Sequence, residues 1–251
     1  MAKAKGSAGP KGEKPAKKRS VIKTGKAAGA ASSRKEVAYD EKAIQTLDAL
    51  EHIRLRTGMY IGRLGDGSTP VDGIYVMMKE VIDNSVDEFI MGVGKKIEIR
   101  RDGPTIEVRD YGRGIPLGKL VECVSQINTG GKYNDDVFQF SVGLNGVGTK
   151  AVNALSSDFE VKSVRKGKFK QASFVRGKIK NEKSGKSSDP DGTFVRFTPD
   201  LEIFNSYDWN EEFIAHRLRY YAYLNSGLKL TYNKENFQSK NGLKDLLADE
   251  M

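Results

Sequence analysis

Residues 73–91 read GIYVMMKEVIDNSVDEFIM, and the rest of the chain is best read outward from them. Apolar side chains at Ile74, Met77, Met78, Val81, Ile82, Phe89 and Ile90 recur at the three-and-four spacing of a helix with one face on a core. Glu80, Asn84 and Glu88 fall four residues apart and stack as a second stripe, with Asp87 between the last two. A carboxylate and a carboxamide one turn apart suit water activation and metal binding. A solvated helix edge would carry the same residues, so the helix by itself leaves both readings open.

Upstream, Tyr39-Asp40-Glu41 leads into an expected helix from about Lys42 to Arg56, with Ile44, Leu47, Leu50 and Ile53 inward. Gly58-Met59-Tyr60-Ile61-Gly62 ends it, and a loop from Gly65 to Thr69 passes to the long helix. Downstream, Gly92 and Gly94 break the chain. Residues 96–101 and 105–110 then alternate around Asp102-Gly103 as a β-hairpin. The second strand runs into DYGRGIP (110–116), a carboxylate at a strand end followed by a turn that Gly112 and Gly114 permit.

Two more glycine-rich segments follow, Gly130-Gly131-Lys132 and GLNGVG (143–148), the latter just before a short helix expected near Thr149. Backbone N–H groups in such a turn, backed by a helix N-terminus, make a cradle for phosphates. Each segment singly is equally a plain turn. The last is not a P-loop, because Thr149-Lys150 reverses the required order.

Residues 159–166, 168–176 and 193–198 alternate as antiparallel strands, with a mobile loop expected over 181–192. A helix over 209–224 and a strand over 228–232 close the pattern. Helices and strands come in separated runs, which predicts an α+β layer architecture. No internal repeat is visible.

Composition narrows the class. The 251 residues contain no apolar run long enough to span a membrane, which predicts a soluble chain. The single Cys123 cannot form an internal disulfide, which fits a reducing cytoplasm. With only His52 and His216 beside it, no zinc-type cluster can be assembled. The net charge of +9 is unevenly spread: residues 1–36 hold 11 basic residues against Glu13 and Glu36, leaving 31 basic and 31 acidic residues in the remainder. Residues 1–38 therefore read as a basic disordered tail and 39–251 as the folded domain. The tail is either a loose electrostatic hold on DNA or RNA or a solubilising extension; it lacks the apolar core of a secretory signal.

Taken in order, EVIDNSVDE, DYGRGIP, GLNGVGTKAVNALS and DGTFVRF, with TGMYIG before the helix, resemble the ATPase domain of bacterial type II topoisomerase B subunits. These subunits, gyrase B and topoisomerase IV B, belong to the GHKL superfamily of chaperone, histidine-kinase and mismatch-repair ATPases. The resemblance covers roughly Tyr39 to Leu247. It implies the two-layer α/β sandwich of the GHKL (Bergerat) type, a mixed β-sheet with helices on one face, and ATP and Mg²⁺ as ligands.

The resemblance also implies roles. Glu80 is the general base toward water attacking the γ-phosphate, and Asn84 the Mg²⁺ ligand. Asp110 accepts from the adenine amine with Thr193 assisting, over a floor of Gly114, Ile115 and Pro116. Lys132 and the backbone of Gly143, Leu144, Asn145, Gly146, Val147 and Gly148 hold the phosphates. Glu88 and Arg113 pair at the pocket mouth, Arg165 sits on the rim, and Tyr39 reaches the nucleotide of a partner protomer. The implied partners are a second copy of the same B subunit, the topoisomerase A subunit, double-stranded DNA, and inhibitors of the adenine-mimicking or aminocoumarin type, with no membrane.

Asn145, Tyr111, Thr57 and Phe138 depart from the gyrase pattern (commonly histidine, an acid, proline and tyrosine) and lean toward topoisomerase IV. Phe138 also removes a hydroxyl that often contacts adenine. In the family the next domain contributes a lysine to the γ-phosphate, and the resemblance leads us to expect that these 251 residues do not include it. The chain is thus expected to be a fragment that binds ATP with little or no turnover. Two other classes fit parts of the pattern: another ATPase or kinase of the superfamily, and a nucleic-acid-binding protein acting through its tail.

Overall fold

The computed structural model describes residues 47–131 and 146–251; the tail, Tyr39 and the segment 132–145 lie outside the described residues. Eight strands form one sheet: β1 Lys96–Asp102, β2 Thr105–Asp110, β3 Ser156–Arg165, β4 Lys168–Val175, β5 Lys178–Lys186, β6 Gly192–Pro199, β7 Lys229–Tyr232 and β8 Glu235–Phe237. Their order across the sheet is β5-β4-β3-β6-β2-β1-β7-β8. β1 and β7 pair in parallel and the other neighbours are antiparallel, so the sheet is mixed. Helices cover one face, giving the expected two-layer α+β sandwich.

The long helix α3, Gly73–Ile90, lies on the sheet as its periodicity predicts. Ile74, Met77, Met78 and Ile82 are fully buried, joined by Tyr75 and Val86, and each such side chain contributes about 1.5–3 kcal/mol of burial free energy. The core face ends earlier than expected: Phe89 is half-buried and Ile90 is exposed. Asp87 departs further from the sequence reading. It is fully buried rather than part of a solvated edge, as is Asp83 one turn before it. Asp83 accepts from Lys79 Nζ at 2.5 Å and from the Tyr221 hydroxyl.

The helix expected from Lys42 instead begins at Ala49 as α1, Ala49–Leu55. Asp48 caps it, accepting from the N–H groups of Leu50 and Glu51 at 2.7 and 3.1 Å, so Leu47 and Asp48 are not helical. Residues 42–46 lie outside the described residues. Gly58–Ile61 is a short helix of its own, α2, and not only a break.

The loop before α3 is tied down by two buried groups. Asp72 accepts from Gly67 N, Thr69 N and Thr69 Oγ1 at 2.6–3.2 Å. Burial opposes its charge, but the Thr69 and Gly67 bonds and Arg63 bring its pKa below the ordinary carboxylate value. The Tyr75 hydroxyl donates to Gly67 O at 2.9 Å and accepts from Asn210 N at 2.8 Å, pinning the loop and the start of α7, Glu211–Leu224.

The first half of the mobile loop expected over 181–192 is instead part of the edge strand β5, hydrogen-bonded along β4 from Lys168↔Lys186 to Val175↔Lys178, and residues 187–191 remain outside any strand. All nine residues of β5 are exposed, so no apolar alternation marks it. Four short helices are likewise unmarked by periodicity. These are α4 Leu120–Ser125, preceded by a 3-10 turn over Leu117–Lys119, together with α5 Gly148–Ala154, α6 Leu201–Phe204 and α8 Leu243–Glu250; only α5 stands where the sequence predicts a helix.

Candidate functional site

A cavity of about 1080 Å³ opens between α3, the ends of β2 and β3, α5 and the 3-10 turn. At one end β2 delivers Asp110, which is buried. Its Oδ1 accepts from Gly112 N at 2.9 Å and Thr193 N at 3.0 Å, and its Oδ2 accepts from Ser85 Oγ at 3.3 Å. Burial raises the Asp110 pKa, and the N–H groups of Gly112 and Thr193 oppose that rise. The result is a fixed carboxylate whose Oδ2 edge can accept from a planar donor such as an exocyclic amine.

The turn after Asp110 takes its shape from two different constraints. Gly114 has φ +71°, and a Cβ there would lie 2.8 Å from Ser163 Oγ and Val164 O. Gly112 has no positive φ; it is glycine because a Cβ would lie 2.7 Å from Glu88 Cβ and Cγ. Glu88 in turn holds the turn by accepting from Arg113 N at 2.8 Å, Nε at 3.0 Å and Nη2 at 2.9 Å. Ser163 Oγ donates to Ile115 O at 2.7 Å, so the Gly114-Ile115-Pro116 segment is bolted to β3. Arg165 Nη1 reaches Gly114 O at 3.3 Å from the rim.

At the other end, Glu80 and Asn84 line the same cavity. Asn84 Nδ2 donates to Glu80 O and to Thr149 Oγ1, both at 2.8 Å, so the donor side of the carboxamide is held by the protein. A Cβ on Gly148 would lie 1.9 Å from Glu80 Oε2. Lys79 Nζ lies 3.8 Å from Glu80 Oε1. Lys150 is buried and its Nζ donates to Thr129 O at 2.6 Å and to Gly146 O, tying together the two described ends that flank 132–145.

The described site residues therefore converge. Glu80, Asn84, Glu88, Asp110, Arg113, Gly114, Ile115, Pro116, Gly146, Val147, Gly148 and Thr193 line one cavity. Tyr39, Lys132, Phe138, Gly143, Leu144 and Asn145 lie outside the described residues. Ser85, Thr149, Lys150 and Ser163 escaped the sequence reading; inward alternation on β3 could have flagged Ser163, and the i+1 position after Asn84 gives no signal for Ser85.

The donor chemistry fits a magnesium ion shared with a phosphate. Among the described residues no group of three or more His, Cys, Asp or Glu could hold a metal alone. Mg²⁺ typically takes one or two protein oxygens and completes its shell with water and substrate phosphates, and the Asn84 carboxamide carries an oxygen of the type such a site uses.

Known proteins share this architecture and much of the sequence. The family model described as histidine kinase-, DNA gyrase B-, and HSP90-like ATPase matches residues 69–203. The B subunit of DNA topoisomerase 4 from Borreliella burgdorferi is 62% identical over 213 residues, 85% of this chain and 36% of that protein. The DNA gyrase B subunit of Archaeoglobus fulgidus is 40% identical over 208 residues, 77% of this chain and 32% of that protein. The crystal structure of the 43K ATPase domain of Thermus thermophilus gyrase B in complex with an aminocoumarin superposes with a TM-score of 0.68 at 30% identity, covering 81% of this chain and 55% of that one. The chain spans about a third of the length of the curated relatives it matches. No helix among the described residues is long and apolar enough to cross a membrane.

Proposed function

Because the chain belongs to the histidine kinase-, DNA gyrase B-, and HSP90-like ATPase family and is homologous to the ATPase domain of gyrase and topoisomerase IV B subunits, we propose that it is the Mg-ATP-binding part of a type IIA DNA topoisomerase B subunit, with little or no turnover by itself and hydrolysis in the longer subunit. The higher identity to a topoisomerase IV protein supports that enzyme over gyrase. The observation that carries the reading is the single cavity shared by Asp110 with Thr193 at one end and Glu80 with Asn84 at the other.

In this reading the adenine amine donates to Asp110 Oδ2, while Gly114, Ile115 and Pro116 form the floor beneath the base. The backbone of Gly146 to Gly148 faces the phosphates; Lys132 and Gly143 to Asn145, assigned to the same role by the resemblance, lie outside the described residues. Asn84 offers its amide oxygen to Mg²⁺, which when bound neutralises charge on the phosphate oxygens. Glu80 accepts a proton from water as the water oxygen bonds to the γ-phosphorus; the bridging P–O bond breaks and ADP leaves with inorganic phosphate. ATP binding then drives pairing of two B subunits, which work with the A subunit on double-stranded DNA in the cytoplasm.

Glu80→Gln tests the assignment in a polypeptide extended past residue 251 into the region the longer relatives carry. A base needed only for proton transfer leaves Mg-ATP binding near the parent value and lowers turnover by about 10²–10⁴-fold. Asn84→Ala gives the contrasting result, weaker Mg-ATP binding. Hydrolysis by Glu80→Gln within about threefold of the parent, far inside that range, removes Glu80 from catalysis.

A further inference from the structure

The balanced charge of residues 37–251 conceals a strong separation. Residues 162–186 hold ten lysines and arginines against Glu182 alone, a net +9 within 25 residues, so the remainder of 37–251 carries −9. This segment is the β3-β4-β5 end of the sheet. Lys162 pairs with Asp189 at 2.6 Å, Lys170 with Glu182 at 2.8 Å, and Arg176 with Asp200 at 2.9 Å. Lys166, Lys168, Lys178, Lys180, Lys183 and Lys186 are all exposed, and no ion pair to them is found among the described residues.

The strand register makes this concentration costly to the fold. Arg165 lies opposite Lys168, and Lys168 opposite Lys186, so three cations occupy one rung across three strands. Like charges directly opposite on neighbouring strands are destabilising. Lysines on an edge strand are a common guard against strand-to-strand aggregation. That accounts for lysines on β5 but not for Lys168, which sits on β4 with both edges already paired.

We infer that the lysine-rich β4-β5 ribbon is a docking surface for the phosphate backbone of duplex DNA. A nine-residue strand is roughly 30 Å long, and duplex DNA carries one charge per about 1.7 Å of axis, so a duplex lying along this edge offers phosphates over the whole length of the ribbon. Neutralising those phosphates relieves the repulsion on the Arg165-Lys168-Lys186 rung. The choice of DNA among polyanions rests on the topoisomerase reading above; the charge separation does not.

The test replaces Lys178, Lys180, Lys183 and Lys186 together with glutamine in the whole chain and measures binding of a fluorescent 30-base-pair duplex across a salt series. A control replaces the exposed Lys229, Lys234, Lys240 and Lys244 at the far end of the fold. The ribbon variant should lower the slope of log affinity against log salt by about 2–4, since each phosphate contact contributes about 0.9, with the control near the parent. Replacement by four arginines should keep the parent slope, binding of a non-hydrolysable ATP analogue should match the parent in all variants, and the melting temperature of the glutamine ribbon variant should equal or exceed the parent's because the rung repulsion is removed. Parent-like DNA binding by the ribbon variant overturns the inference, as does an equal loss in the control. So does new aggregation with DNA binding intact, which would leave edge protection as the ribbon's role, or tighter binding of polyglutamate than of duplex, which would point to an acidic protein. ATP binding that fails while the ribbon slope changes as expected would count against the ATPase reading alone.

Discussion

Gly148 and Glu80 are packed so tightly that a single added methyl on Gly148 would fall 1.9 Å from Glu80 Oε2. The N-terminus of α5 and the acidic stripe of α3 are thus set against each other with no slack. Gly148→Ala should force the carboxylate aside, and a misplacement of about 1 Å is enough to lower turnover by about 10²-fold. Phosphate-release assays on the extended polypeptide would measure this; parent-like turnover would mean that the close approach is relaxed in the working enzyme.

Asp110→Asn exchanges an acceptor-only carboxylate for a group with donors, facing Gly112 N and Thr193 N, which are donors themselves. ATP affinity should fall by roughly 1.5–3 kcal/mol, the contribution of a hydrogen bond to a charged group. Because burial raises the Asp110 pKa, affinity in the parent should begin to decline, as pH is lowered, at a higher pH than an ordinary aspartate would give. Calorimetry with ATP and GTP checks both points, and equal binding of the two nucleotides would reduce Asp110 to a turn residue.

Glu88 and Arg113 make a bidentate pair, and Glu88 also accepts from the Arg113 backbone. Glu88→Ala should therefore weaken ATP binding more than Arg113→Ala does, because it also frees the turn that orients Asp110. A double-mutant cycle on stability should give a coupling of about 0.5–3 kcal/mol, the range for residues in direct contact. A coupling near zero would show that the pair adds geometry without energy.

Asp245 binds Ser239 Oγ at 2.6 Å and Asn241 N and Nδ2 at 3.0 and 2.8 Å, and these bonds lower its pKa from 3.8 to about 2. A depressed folded pKa contributes stability that is complete above the unfolded value and is lost as pH falls through the folded one. The stability difference between the parent and Asp245→Asn should thus be full above pH about 4 and vanish toward pH 2. Carboxyl ¹³C titration should place the Asp245 midpoint near 2, and in Ser239→Ala it should move up toward 3.8. A midpoint at 3.8 in the parent would mean that the bonds are not kept in solution.

Much of the fold could be read from residues whose pattern is imposed by a one-sided core. Helix α3 and the β1-β2 hairpin show this, because each places apolar groups on one face and polar groups on the other. β5 could not be read, since it has no buried face and takes its register entirely from hydrogen bonds to β4. α8 buries no residue fully, so its periodicity is weak. At the site, Asp110 and the glycines announce themselves by residue type and turn. Ser85 and Ser163 are ordinary serines until the sheet brings them beside Asp110 Oδ2 and Ile115 O. Asp87 misled for a related reason: an acid on a helix is expected in water, and only the packing around α3 shows it inside.

The position of β6 sets a time order on the molecule. Strands β1 and β2, and strands β3, β4 and β5, are neighbours in sequence and can pair locally, but β6 alone lies between β2 and β3. On a chain growing from its N-terminus, the two sheet halves remain separate until residues 192–199 emerge and insert. Thr193 arrives with that strand and donates to Asp110 Oδ1. Ribosome-bound chains cut before Gly192 should then retain no adenine-nucleotide, whereas chains released after Tyr232, once β7 has joined β1, should. Adenine capture would serve as a clock for the closing of the sheet.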